Sequence, residues 1–323
     1  MTEPDSTYAT AAGRLGRITA QLGIQLGHVR PYGHRPRKDE QEVSPPMNTP
    51  GRTSPVPAGP ALAGIVPARP ALAGTTPPAP TLVAVGHGSR DPRARATLGR
   101  LLERVRELRP GLDVRLAHIE LNAPLLDATL TELAAEGRDA VLVPLLLAPG
   151  YHVTHDLPAA LAAVPGLRAR VAEPLGAHPL LVEALADRLA HAGWTPEDGT
   201  SRAAGVVLAS AGSRDPRSGA ELCRIAALLG DRLGGVPVVP AYASAAAPTV
   251  PEAVRALAAR GRHRVAVASC FTAPGLFATR AAAHAPWIAS APLGAHPALA
   301  RLVLHRYDGA LRATTREREL ATV

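Results

Sequence analysis

VGHGSRDPR occupies residues 85–93, and ASAGSRDPR occupies residues 209–217. Both stretches hold Gly-Ser-Arg-Asp-Pro-Arg, follow a short apolar run and lead into a long segment whose apolar residues recur at helical spacing. A strand that ends in a glycine-bearing loop, followed by a proline suited to the first turn of a helix, is the local plan of a parallel βα unit. Its return 124 residues later makes a tandem repeat of one α/β unit the reading on which the rest depends.

Outward from the first copy, TLVAVG (81–86) suits a buried parallel strand, and the helix opened by Pro92 runs toward Pro110. DVRLAHIE (113–120) is the next strand, and PLLDATLTELAAEG (124–137) the next helix, closed by Gly137. DAVLVPLLLA (139–148) is a third strand, and HDLPAALAAV (155–164) a short helix. LRARVAEPLG (167–176) and HPLLVEALADRLAHAG (178–193) complete a fourth pair. Four successive βα pairs predict a four-stranded parallel sheet with helices on both faces, because parallel strands need crossover connections. The second half repeats the order: Ala123-Pro124 returns as Ala247-Pro248, Ala148-Pro149-Gly150 as Ala273-Pro274-Gly275, and PLGAHP (174–179) at 292–297. The expected fold is therefore α/β, two tandem similar domains, each with a four-stranded parallel sheet. Their bounds are 79–195 and 203–312, joined by the polar TPEDGTSR (195–202) and followed by a tail at 313–323. Residues 1–78 are dense in proline, alanine and glycine without a period of 2 or 3.6, and read as a disordered arm. Within it, YATAAGRLGRITAQLG (8–23) is the one stretch with the makings of a short helix.

Composition excludes several function classes. The 323 residues carry a formal charge of +8, with 35 basic and 27 acidic side chains. All basic residues but Lys38 are arginine, and they are scattered without the clustering or aromatic interleaving of a nucleic-acid face. No run approaches the ~18 apolar residues of a membrane span, and a cytoplasmic location is expected. Cys223 and Cys270 have neither disulfide nor metal spacing and read as small core residues. Gly86-His87-Gly88 has aspartate at position 91 where a dinucleotide loop needs its third glycine, so no organic cofactor is expected.

Ligands of open parallel sheets bind beyond the carboxyl ends of the strands. In the first repeat those places hold His87, Glu120 and His152. Their counterparts in the second are Ala211, Ser244 and Phe277, so all three polar groups are lost together while the loop-forming glycines and prolines remain. Two imidazoles and a carboxylate suit a borderline divalent ion such as Fe²⁺, Co²⁺, Ni²⁺ or Zn²⁺. His178 and His296 share the PLGAHP context of both repeats and are expected to cap the helices that follow. Asp156 is placed either behind His152 or as a helix cap, and His118, whose counterpart is Tyr242, as packing.

VGHGSRDPR, IELNAPLL, VPLLLAPGYHVTHDLP and PLGAHPLLVEAL, in that order, resemble the sirohydrochlorin chelatases of the CbiX/SirB type, related in fold to the class II ferrochelatases. The resemblance covers roughly 80–312. It implies an enzyme that inserts a divalent metal, Fe²⁺ or Co²⁺ with Ni²⁺ admitted, into sirohydrochlorin held between the two domains, for siroheme or cobalamin formation. A carrier that binds metal or tetrapyrrole without turnover would share the same residues. Metal delivery falls by motif on His87, His152 and Glu120, and the second domain supplies the far wall. Arg90, Arg93 and Arg214 are expected partners for the substrate carboxylates, with Ser89 and Ser213 as further donors. A monomer suffices for such a site and a homodimer is equally allowed.

Overall fold

The computed structural model describes residues 78–321, with side chains through residue 313. The arm expected at 1–78, with its helical stretch at 8–23, lies outside the described residues save for residue 78. The first repeat contains β1 (Thr81–Gly86), α1 (Pro92–Leu108), β2 (Val114–His118), α2 (Leu126–Ala135) and β3 (Ala140–Pro144). After a π-helical turn at His152–Asp156 come α3 (Leu157–Ala162), β4 (Ala169–Val171) and α4 (Pro179–His191). The joining segment carries the short α5 (Pro196–Thr200). The second repeat contains β5 (Ala204–Ser210), α6 (Pro216–Arg232), β6 (Val238–Tyr242), α7 (Val250–Ala258), β7 (Arg264–Ser269), α8 (Leu276–Ala282) and α9 (Pro297–Ala321). The last helix thus runs without a break across the boundary expected at residue 312.

All pairings are parallel, in the orders β2-β1-β3-β4 and β6-β5-β7. The second sheet therefore has three strands where four were expected. The fourth is reduced to one bridge, Val267 to Ala289, because Pro286 and Pro292 closely flank the segment and cannot donate to a ladder. The Ser290 hydroxyl instead accepts the Ser269 N–H at 2.9 Å. In both sheets the strand order reverses beside the first strand, and a crevice opens at the carboxyl ends there.

The repeats match in detail. Asp91 and Asp215 each accept a backbone N–H two residues ahead at 2.9 Å, with a proline opening the helix between. The buried Ala94, Leu98, Leu101, Leu102 and Val105 form the inward stripe of α1. On α6 the stripe is Leu222, Ile225, Ala226 and Leu229, which leaves Cys223 a third of a turn away and exposed, in contrast to the core position expected of it. Cys270 is buried, and burial pushes its thiol up to about 12.

Each repeat lends its fourth helix to the other. Helix α4 packs on α6 and β7, whereas α9 packs on α1 and β3, and the two cross each other. The Arg188 guanidinium of α4 donates to the Leu293 carbonyl at 2.7 Å, and Arg306 of α9 makes the same bond to Leu175, also at 2.7 Å. Tyr307 donates to the Pro80 carbonyl at 2.7 Å, and Arg109 forks onto Asp308 at 2.9 Å. One apolar cluster joins Leu82, Leu101 and Val143 of the first repeat to Leu208, Leu229 and Leu302 of the second. Burying a leucine contributes about 1.5–3 kcal/mol, so Leu299, Leu302, Val303 and Tyr307 bind α9 firmly to the opposite lobe. Among the described residues no helix is long and apolar enough to cross a membrane.

Candidate active site

A cleft of about 740 Å³ lies where the strand-end loops of the two lobes face each other. Gly88 positions the first of them. Its φ is +108°, and a methyl group there would stand 1.9 Å from the Glu120 carbonyl oxygen, so the loop after β1 lies directly on the loop after β2. The Glu120 amide bonds the His87 carbonyl at 3.1 Å, and Asn122 accepts the Ser89 N–H at 2.7 Å. Gly212 repeats the contact with Ser244, and the Ser244 hydroxyl donates to the Ala211 carbonyl at 2.9 Å. The second lobe thus keeps the backbone of the loop and turns its polar group inward.

His87, Glu120 and His152 all line the cleft. The two imidazoles stand 4.6 Å apart, centre to centre, at 86°. Nδ1 of His87 lies 3.3 Å from a Glu120 oxygen, and Nδ1 of His152 lies 2.6 Å from an oxygen of Asp156. The π-helical turn brings that second pair together, since His152 and Asp156 are its two ends. A carboxylate at Nδ1 selects the tautomer whose Nε2 lone pair is free. Both rings are partly exposed, at 46% and 35% of the side chain. Among the described residues no group of three or more His, Cys, Asp or Glu side chains stands in ready-made metal-binding array. The arrangement is a pair of imidazoles with a carboxylate behind each, open toward the cleft.

Ser89, Arg90 and Ser213 line the cleft, with Arg90 exposed. Arg93 and Arg214 are outside its lining, and Arg93 is held by Asp91 at 2.7 Å. His178 and His296 are helix caps as expected, each Nδ1 accepting an N–H at 3.2 Å, from Leu180 and from Ala298. The cleft also contains Arg95, Asn122 and an apolar rim of Leu121, Tyr151, Leu276 and Phe277, none of which was singled out as functional from the sequence. Repeat comparison carried a signal for two of them, since Arg95 and Asn122 face Gly219 and Ala246 in the second copy. His118 lies on the cleft floor, 1% exposed. Burial holds its pKa below the ordinary imidazole value, the Pro124 backbone beside the ring pulls it up, and the Arg95 charge pushes it down.

Paired α/β lobes, with the cleft's imidazole pair on one side only, define a two-lobed protein of chelatase architecture. SirB from Bacillus subtilis, solved with Fe³⁺, has the same fold, with a TM-score of 0.59 at 24% identity over 71% of this chain and 94% of that one. The CbiX family model matches twice, at residues 81–192 and 205–310, and the chain belongs to that family. A sirohydrochlorin cobaltochelatase of Priestia megaterium is 27% identical over 61% of this chain and 65% of its own length. A sirohydrochlorin ferrochelatase of Bacillus subtilis (strain 168) is 28% identical over 53% and 66% respectively. The chain thus spans about two thirds of the length of these curated relatives.

Proposed function

We propose that this protein inserts Fe²⁺ or Co²⁺ into sirohydrochlorin, as a step of siroheme or cobalamin formation. The observation that carries the reading is the His87–His152 pair, 4.6 Å apart at the reversal of strand order and facing a cleft of about 740 Å³. The names of the similar cobaltochelatase and ferrochelatase supply the substrate class.

Metallation needs an ion brought to the ring plane and a base for the two inner N–H protons that depart as the ion enters. His87 and His152, oriented by Glu120 and Asp156, hold the partly hydrated ion through Nε2. Glu120, half exposed beside His87, takes a departing proton or completes the coordination, and solvent receives the second proton. The apolar rim, with Phe277 at the place of the lost second-lobe ligand, covers the flat macrocycle, and Arg90 and Ser89 meet its acidic edge. Both walls come from one chain, so a monomer has a complete cleft.

The test mixes catalytic amounts of protein with sirohydrochlorin and Co²⁺ or Fe²⁺ without oxygen and follows the absorbance. Many turnovers per protein are expected. A single stoichiometric change would replace the enzyme reading with that of a carrier, and no change with either ion would remove both.

A further inference from the structure

Tyr151 lines the cleft and is 64% exposed, yet its ring is held in place. The imidazole of His155 lies flat on it, with centroids 4.5 Å apart and planes 7° from parallel. His155 is not part of the cleft lining, so it covers the Tyr151 ring from outside the cleft. The Thr154 hydroxyl donates to the Gly150 carbonyl at 3.1 Å, and Nδ1 of His155 lies 2.8 Å from the same hydroxyl oxygen. That hydroxyl has one proton, already given to Gly150, so Nδ1 of His155 is the donor and the imidazole is fixed by a bond as well as by the stack. The second lobe has no such surface. Leu276 and Arg280 stand where the first lobe has Tyr151 and His155, while Thr279 keeps the place of Thr154. The Tyr151 plane also makes an angle of 79° with the His152 imidazole, whose centre is 6.5 Å away. A flat molecule stacked on Tyr151 therefore has the His152 ring standing nearly upright to its plane. An imidazole coordinates through a nitrogen lying in its own plane, so this attitude suits delivery of an ion along the axis of a macrocycle.

We propose that Tyr151 is the stacking platform that sets the plane of the tetrapyrrole against His152, and that His155 is a positioning residue acting through Tyr151. The inference rests on the function proposed above and adds to it the attitude in which the substrate lies. Stacking on an extended π-system is tolerant of the substituents around its edge, so the platform fixes the tilt of the macrocycle and leaves rotation about its axis to other contacts. Leu276, 60% exposed on the opposite wall, offers apolar contact without a preferred plane. Tilt is therefore set from the first lobe, which also carries the imidazole pair.

Metal-free sirohydrochlorin and Co²⁺ alone are the probes. Sirohydrochlorin binding, Co²⁺ binding and Co²⁺ insertion are measured separately for the wild type, Tyr151→Ala, Tyr151→Phe, His155→Ala, His155→Phe and the double variant Y151A/H155A. Both side chains are exposed, so the variants are expected to fold, and melting temperatures check this. Tyr151→Ala should weaken sirohydrochlorin binding about three- to tenfold and lower kcat about tenfold at saturating sirohydrochlorin, with Co²⁺ affinity unchanged. Tyr151→Phe, which keeps the ring, should recover most of both losses. His155→Ala should show a smaller loss of the same kind, His155→Phe should restore it by stacking alone, and the double variant should be no worse than Tyr151→Ala, since His155 acts only through that ring. Wild-type binding and kcat in Tyr151→Ala overturn the platform and leave the function standing. A loss from His155→Ala that persists undiminished in the Tyr151→Ala background, or reduced Co²⁺ affinity in His155→Phe, overturns the positioning role of His155. Sirohydrochlorin binding that depends on Tyr151 in a wild type that never turns over overturns the function and keeps the platform. A wild type that does not bind sirohydrochlorin overturns both.

Discussion

The imidazoles of His87 and His152 meet edge to face at 4.6 Å although 65 residues of chain separate them. Each has Nδ1 against a carboxylate, Glu120 at 3.3 Å and Asp156 at 2.6 Å, so the pair is oriented from behind before any ion arrives. If that orientation matters, His87→Ala and His152→Ala should each abolish insertion, and Asp156→Asn should cut metal affinity or activity about 10–100-fold. Co²⁺ titration and insertion rate would decide. Full activity in Asp156→Asn would reduce that residue to a bystander.

Gly88→Ala and Gly212→Ala create the same defect in the two lobes, a methyl group 1.9 Å from a carbonyl oxygen at positive φ. Each should cost roughly 2–4 kcal/mol in urea unfolding. Only Gly88→Ala should also impair insertion in protein that remains folded, because only its loop carries His87 and lies on Glu120. Equal activity losses in the two variants would contradict the one-sided site.

Ala211→His should leave insertion within about twofold of wild type. The new ring would find Phe277 in place of a second imidazole and Ser244 already bonded to the Ala211 carbonyl. A second stoichiometric Co²⁺ site in this variant would refute the reading of the second lobe as a closing wall.

The exchanged helices are pinned by Arg188 on Leu293 and Arg306 on Leu175. Arg188→Ala and Arg306→Ala should each cost about 1.5–3 kcal/mol, the range for hydrogen bonds to charged groups. A change below about 0.5 kcal/mol in either urea midpoint comparison would mean that the apolar cluster alone holds the exchange.

Arg109 joins the lobes through Asp308, and its guanidinium holds the Asp308 carboxyl below the usual carboxylate value. A depressed folded-state pKa stabilises the protein above the unfolded value, and that contribution is lost as pH falls through the folded value. The pair is partly exposed, so Asp308→Asn should cost about 1 kcal/mol or less at pH ~7, and the difference from wild type should fade at pH ~3 and below. A difference independent of pH would assign the effect to packing.

The repeat of GSRDP, the order of strands and helices and the three polar groups at strand ends were legible along the chain, because local periodicity and loop chemistry are written in neighbouring residues. Comparing one half with the other separated His87, Glu120 and His152 from histidines such as His178 and His296, which both halves keep as caps. The exchange of α4 and α9 was not legible, since an apolar stripe says that a helix is covered and not by which lobe. The same limit hid the loss of the fourth strand to one bridge, the outward turn of Cys223, and the π-helical register that sets Asp156 behind His152. These features depend on which surfaces meet in space, and such contacts are selected by packing across the whole molecule.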